Sequence, residues 1–273
     1  MEKIDRLGWT AGISFLAYGV RVGVRVNDKE ALAQVVDHLP PGWIPGPSPI
    51  VKRLYSLKVG GEGSRLNLRR FHILYSNAAR LGRSLDLAPV LKLFESDLHL
   101  YVAEAAPRRV FVHAGVVGWQ GQAIVIPGRS FSGKTTLVME LVRAGATYLS
   151  DEYAVLDARG RVHPYPRKLW IRDSSTFETE RCSVESLGGS YGVRPLPVGL
   201  VVVTKYKAGA RWRPGPLTPG QGALALLDNA VSIQRQPDRT FPVLSKVASD
   251  ASILKGVRGE ARDMVDSILK SLG

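Results

Sequence analysis

One stretch constrains this chain more than any other. An apolar run at residues 123–126 opens directly into Gly128, Arg129, Ser130, Phe131, Ser132, Gly133, Lys134 and Thr135, which match G-x-x-x-x-G-K-[ST] at every fixed position. A helical pattern follows at once. Leu137, Val138, Leu141 and Val142 share one face, and Gly145 stands where a left-handed residue would stop the helix. Strand, glycine loop and helix in that order are the context the motif requires, so the chain reads as an α/β protein organised around this junction.

The spacing follows from the chemistry of phosphate binding. Gly128 and Gly133 let backbone N–H groups turn inward, and the helix beginning with Lys134, Thr135 and Thr136 points its positive end at the same place. Residues 128–136 are therefore the candidate cradle. Lys134 is expected to reach the terminal phosphates as a point charge, and the Thr135 hydroxyl to coordinate Mg²⁺. The ligand expected is a nucleoside triphosphate or a close relative of one.

A second candidate cluster lies just downstream. Tyr148 and Leu149 are strand-like and lead into the adjacent acids Asp151 and Glu152. An apolar strand ending in acids is where a phosphate-loop enzyme places its Mg²⁺ ligand and its general base. Neighbouring residues on a strand point opposite ways, so both acids serve one site only if the strand ends or bends there. Upstream, His113 sits in an apolar strand at 109–118, joined through a turn at 119–121 to the strand feeding the loop. A histidine in that setting is most often packed core, but its nearness to the loop makes it a candidate base, proton carrier or substrate contact.

Residues 1–98 read as a smaller α+β unit for substrate or partner contact, and residues 99–273 as the P-loop catalytic domain. Residues 13–26 alternate around Gly19 and Gly23 as one or two strands, and Asp28 is placed to cap a short helix bearing Ala31, Leu32, Val35 and Val36. Prolines at 40–49 break the pattern; strand-like runs follow at 54–59 and 71–75, with a glycine-rich turn at 60–63. His38 and His72 are isolated and read as surface or packing residues. Residues 85–106 carry a helical pattern that Pro107 ends. Beyond the acids, short strands at 153–171 surround a turn at 157–160, and Arg167, Lys168 and Arg172 are available to neutralise phosphate charge. The polar stretch 173–197 reads as a mobile lid or partner-contacting loop. A buried strand at 198–204, a basic Pro/Gly-rich segment at 207–219 and helical patterns at 221–227, 238–247 and 261–272 complete the chain.

Charge and cysteine content narrow the function classes. Lys and Arg number 37 against 24 Asp and Glu, a net charge of +13, which suits phosphate-rich ligands, an acidic partner, nucleic acid or an anionic surface. The basic residues fall in short groups such as Lys52-Arg53, Arg69-Arg70 and Arg108-Arg109, with no aromatic platform motif, so nucleic acid is only weakly supported. Cys182 is the single cysteine, which excludes an internal disulfide, and with no motif around it reads as a bystander thiol. The first residues lack a signal-peptide pattern and no apolar run reaches the length of a membrane span, so a cytoplasmic protein is expected.

At Val112-His113-Ala114-Gly115, the loop at 128–135 and Ser150-Asp151-Glu152, the sequence resembles the HPr kinase/phosphorylase family, over residues 100–172. The resemblance implies a fold similar to the phosphoenolpyruvate carboxykinase nucleotide domain, and transfer of the γ-phosphoryl group of ATP to a serine hydroxyl. By matched position Lys134 and Thr135 hold phosphates and Mg²⁺, Asp151 activates the hydroxyl, Glu152 assists the metal, and His113 sits beside the reacting centre. Shorter members of this type also occur as tailoring kinases for ribosomal peptides, so a protein or peptide bearing the acceptor serine is the implied partner, and a homo-oligomer the implied assembly. Two departures stand out. The acidic pair, usually Asp-Asp, is Asp-Glu here, and the family's Glu-Ile/Val-Arg-Gly run is absent, since Val257-Arg258-Gly259-Glu260 fits neither its order nor its position. The resemblance therefore implies the chemistry rather than the HPr substrate. A kinase for a small molecule or nucleic acid, and a nucleotide-dependent binding module without catalysis, stay open at this point.

Overall fold

A computed structural model describes residues 3–60, 70–129, 132–167, 169–172 and 179–272. The chain divides into two compact units, Met1–Pro107 and Arg108–Gly273, each mixing helices and strands. The division follows the long helix before Pro107 instead of cutting it at 98, because that helix packs on strands of the first unit.

In the first unit the alternation of residues 13–26 resolves as two antiparallel strands, β1 (Ala11–Ala17) and β2 (Val20–Val26). Asp28 caps α1 (Lys29–Val36), its carboxylate accepting the Glu30 N–H at 2.9 Å. Then come β3 (Ile44–Pro45), β4 (Arg53–Lys58), β5 (His72–Ser76) and β6 (Ala79–Ser84), giving the sheet order β3-β1-β2-β4-β5-β6. The glycine turn expected at 60–63 lies, beyond Gly60, outside the described residues. Helix α2 (Leu87–Ala105) buries Val90, Leu91, Phe94, Leu98 and Val102, and the Phe94 ring meets Tyr55 edge-on at 5.2 Å. His38 and His72 have packing roles: His38 Nδ1 lies 2.7 Å from Glu95 Oε2, and His72 Nδ1 accepts the Gly60 N–H.

The second unit begins with a hairpin. β7 (Val110–Trp119) and β8 (Gln122–Pro127) are joined by Gln120 and Gly121, whose φ angles of 47° and 77° belong to the two-residue turn that matches strand twist. After the glycine loop, α3 (Lys134–Arg143) ends as its sequence predicts: Gly145 N–H bonds Val142 O and Ala146 N–H bonds Leu141 O. The chain continues through β9 (Thr147–Ser150), β10 (Tyr153–Leu156), β11 (Arg161–His163), β12 (Leu169–Arg172), β13 (Thr179–Cys182), β14 (Leu196–Tyr206), β15 (Gly215–Pro216), α4 (Pro219–Leu227), α5 (Pro237–Asp250), β16 (Ser252–Arg258) and α6 (Val265–Lys270). Only 265–270 of the helical pattern at 261–272 is α-helix; a 3₁₀ turn over Arg262–Met264 precedes it.

The main sheet has the order β11-β10-β7-β8-β14-β16-β15, with β9 also on β7. Strands β8, β14 and β16 are mutually parallel, and strict alternation sends their side chains to opposite layers. Ala123, Val125 and Val201 pack with Leu226, Leu244 and Val247 of α4 and α5. Ile124, Ile126, Leu200 and Val202 pack with Leu137 and Leu141 of α3 and Ile268 of α6. Helices thus cover both faces, and the glycine loop leaves the sheet at the carboxyl edge of its parallel strands. No helix among the described residues is long and apolar enough to cross a membrane.

Candidate functional site

Strands β9 and β10 form one line along β7, broken at Asp151 and Glu152. Ser150 pairs with Val116 and Tyr153 with His113, and the Ala114 N–H bonds Glu152 O at 3.2 Å between them. The buried Ser150 hydroxyl stabilises the break, accepting the N–H groups of Glu152 and Tyr153 at 3.2 and 3.0 Å. The bend overcomes the alternation that would send the two acids apart. Thr135 Oγ1 donates to Asp151 Oδ2 at 3.4 Å. Glu152 places Oε1 3.9 Å from His113 Nδ1 and Oε2 3.7 Å from Arg167 Nη1. Both carboxylates also act electrostatically on Lys134. The structure therefore brings together His113, Lys134, Thr135, Asp151 and Glu152.

The glycine loop is anchored at both ends. Gly128 N–H bonds His113 O at 3.0 Å, tying the loop's start to β7. Gly133 caps α3 with φ 79°, a left-handed conformation that costs a residue with a Cβ about 1–2 kcal/mol. Between them Ser132 N–H and Lys134 Nζ both donate to Arg129 O, at 3.3 and 2.8 Å. Ser130 and Phe131 lie outside the described residues. The buried Ser132 hydroxyl has no hydrogen-bond partner among the described residues. The N–H groups of Lys134, Thr135 and Thr136 open the helix and so have no acceptor within it.

Burial sets the electrostatics of the cluster. It raises the Asp151 carboxyl above its ordinary value; Glu152 adds to the rise, while the Tyr148 hydrogen bond and Arg167 oppose it. Burial lowers the Lys134 ammonium, against the pull of Glu152 and Asp151. It also lowers His113, helped by Lys134, so the imidazole is neutral at pH 7, lying 4.9 Å from the Tyr153 ring between centroids.

Two further residues have no signal in motif or periodicity. Tyr148, fully buried, carries a hydroxyl whose single proton is shared between Asp151 Oδ1 at 3.0 Å and Arg167 O at 3.1 Å. Arg258, at the end of β16 and 3% exposed, donates to Gly133 O at 3.1 Å, Ser132 O at 3.4 Å and Gly259 O at 3.0 Å; its Nε is buried with no partner among the described residues. The sequence offered no strand over 252–258, so nothing in it placed Arg258 beside the loop.

The expected lid is partly fixed. Residues 173–178 lie outside the described residues, as do Lys168 and the side chain of Arg172. Downstream, the stretch is tied down beside Tyr148: Tyr148 N–H bonds Ser190 O at 2.9 Å, Gly192 N–H bonds Tyr148 O at 2.8 Å, and the Tyr191 ring meets Tyr148 edge-on. A segment that shares backbone hydrogen bonds with a buried strand is a support rather than a flap. Cys182 lies 3.0 Å from Ser186 Oγ, away from the acidic pair in any recorded contact.

Among the described residues no group of three or more His, Cys, Asp or Glu side chains is arranged to hold a metal ion. What is present is a hydroxyl, Thr135, against one carboxylate, Asp151, with Glu152 adjacent. Neither the protein-family models nor the curated proteins compared with this chain match it.

Proposed function

We propose that this chain is an ATP- and Mg²⁺-dependent phosphotransferase of the HPr kinase-like type, with a phosphoenolpyruvate carboxykinase-like nucleotide domain in Arg108–Gly273. Its acceptor is a serine hydroxyl of a protein or a ribosomally made peptide. The observation that carries the reading is the contact between Thr135 and Asp151 beside Lys134, made possible by the break between β9 and β10.

The residues suit a bound polyphosphate. Three helix-opening N–H groups, a buried Ser132 hydroxyl with no partner among the described residues, and two glycines where a Cβ would strike Ser132 or Arg258 suit a cradle lined by donors. When bound, ATP supplies the transferable phosphoryl group and Mg²⁺ neutralises the charge on it. Mg²⁺ is held by one or two carboxylates together with phosphate oxygens, so Thr135 with Asp151 or Glu152 is a sufficient protein share. Lys134 contributes a cation at the terminal phosphates, and its lowered proton affinity is restored by the anion it meets. Asp151 takes the proton from the acceptor hydroxyl, a task favoured by its raised proton affinity. His113, neutral, stands on β7 3.9 Å from Glu152, beside the acidic pair.

The test is intact-mass analysis of wild type and Lys134→Ala after incubation with Mg²⁺, ATP and a pool of serine-containing peptides. One added phosphate on a peptide, absent with the variant, is the expected result. Failure of the wild-type chain to bind ATP in calorimetry would overturn the reading.

A further inference from the structure

Because β8, β14 and β16 are parallel, their carboxyl ends share one edge of the sheet, the edge from which the glycine loop departs. Parallel strands of α/β sheets present their ligands outside this edge. What β14 and β16 carry there is basic and partly apolar. Lys207, Arg211 and Arg213, just beyond the end of β14, are exposed, and residues 205–216 contain no acid. Tyr206 exposes 48% of its surface on the face it shares with Arg258, its partner in register on β16. Among the described residues none of the three forms an ion pair, whereas exposed bases elsewhere do, as Lys246 does with Asp250. The neighbouring acid, Glu260, already accepts the Tyr206 hydroxyl at 3.0 Å.

This surface is held rigidly. Lys207 N–H bonds Arg258 O at 2.8 Å, and Ala210 N–H bonds Lys207 O at 3.0 Å. The Trp212 ring packs so closely on Gly256 that a Cβ there would lie 2.8 Å from it. Arg258 joins the surface to the glycine loop, its guanidinium under the Tyr206 ring (5.4 Å) and bonded to Ser132 O and Gly133 O.

We propose that this edge is where the acceptor docks, and that the acceptor is a peptide segment carrying acidic and apolar residues beside its serine. The inference rests on the phosphotransferase reading and names its substrate class. Unpaired like charges on a fixed backbone repel one another in the free protein, and carboxylates of a partner relieve that repulsion and steer its approach. Tyr206 supplies the apolar contact. A nucleic acid meets the same charge less well. Trp212 lies against Gly256 instead of presenting a face for base stacking.

The experiment is fluorescence anisotropy with the full chain and three probes: a labelled serine peptide flanked by Asp, Glu and Leu; the same peptide with Asn and Gln for its acids; and a single-stranded RNA. The acidic peptide is expected to bind at least about tenfold more tightly than the neutral one. The triple variant Lys207→Glu/Arg211→Glu/Arg213→Glu is expected to lose that margin while its ATP affinity in calorimetry is unchanged, and Arg211→Lys/Arg213→Lys to keep it. In turnover the triple variant should raise KM for the peptide and retain kcat. Equal binding of both peptides, no binding of either, or an unaffected triple variant would overturn the proposal. RNA bound more tightly than the acidic peptide at moderate salt, and released by the same triple variant, would reassign the surface to nucleic acid. Acidic-peptide binding by a chain that binds no ATP would sink the phosphotransferase reading alone.

Discussion

Replacing Tyr148 with phenylalanine removes a single hydroxyl from the site. The ring should keep its place, because Tyr148 is fully buried and its backbone is held by Ser190 and Gly192. What is lost is the donor 3.0 Å from Asp151 Oδ1. A hydrogen bond to an ionised group contributes about 1.5–3 kcal/mol, and at a buried position solvent does not take its place. For a unit the length of Arg108–Gly273, each kcal/mol moves Tm by about 2–4 °C, so Tyr148→Phe should lower Tm by about 3–12 °C at neutral pH. The pH dependence has a definite sign. The Tyr148 hydroxyl draws the Asp151 carboxyl down against the upward push of burial, so its contribution exists where Asp151 is ionised and fades as pH falls and the carboxyl is protonated. Without it Asp151 binds its proton more tightly still. Calorimetry across the acid range should show the two proteins converging as pH falls, and the acid limb of the kcat profile should move to higher pH in the variant. A Tm within a degree of wild type at neutral pH, with an unmoved acid limb, would refute the claim that this hydroxyl controls Asp151.

Three other substitutions probe the same site. Asp151→Asn should abolish transfer yet stabilise the fold at neutral pH. The folded carboxyl titrates above its ordinary 3.8, so wild-type stability falls as pH rises from there through the raised value, and the variant's advantage in thermal melts should grow over that window. Gly133→Ala combines a left-handed backbone, φ 79°, with a Cβ driven into the Arg258 guanidinium; a loss of about 1–2 kcal/mol in urea denaturation and weaker ATP binding are expected, and wild-type values of both would contradict the role given to that cap. Arg258→Met removes the bonds to Ser132 O and Gly133 O but also a buried charge, so the melting temperature should hold or rise while ATP affinity falls about tenfold in calorimetry, roughly 1.4 kcal/mol. Unchanged affinity would show that the loop needs no such support.

Much of the local architecture was legible from residues near one another in the chain. The apolar run at 123–126, the loop and the helical face of Leu137, Val138, Leu141 and Val142 became β8, the turn into α3, and α3 itself. Asp28 caps α1, Gly145 closes α3, and the alternation at 13–26 became a strand pair. The misreadings have physical causes. The polar stretch 173–197 reads as a lid or partner-contacting loop, but the backbone bonds of Ser190 and Gly192 to Tyr148 exist only once β9 is in place. The helical pattern at 261–272 tightens into a 3₁₀ turn at its start, a difference in hydrogen-bond register that periodicity does not encode.

By itself the sequence determined the elements around the loop and the chemical inventory, though not β6 or β16: a glycine loop between strand and helix, a lysine and hydroxyl at its end, two acids after the next strand, and an excess of positive charge. These depend on propensity, caps and side-chain period, all of which act within a few residues. Only the tertiary structure decided which groups meet. It broke the β9–β10 line so that both acids face Lys134, set a buried tyrosine hydroxyl on Asp151, and brought Arg258 onto a loop 126 residues away in sequence. Contacts of that range follow from sheet order, and sheet order is settled by the packing of the whole unit, because no single strand records which neighbour it will find.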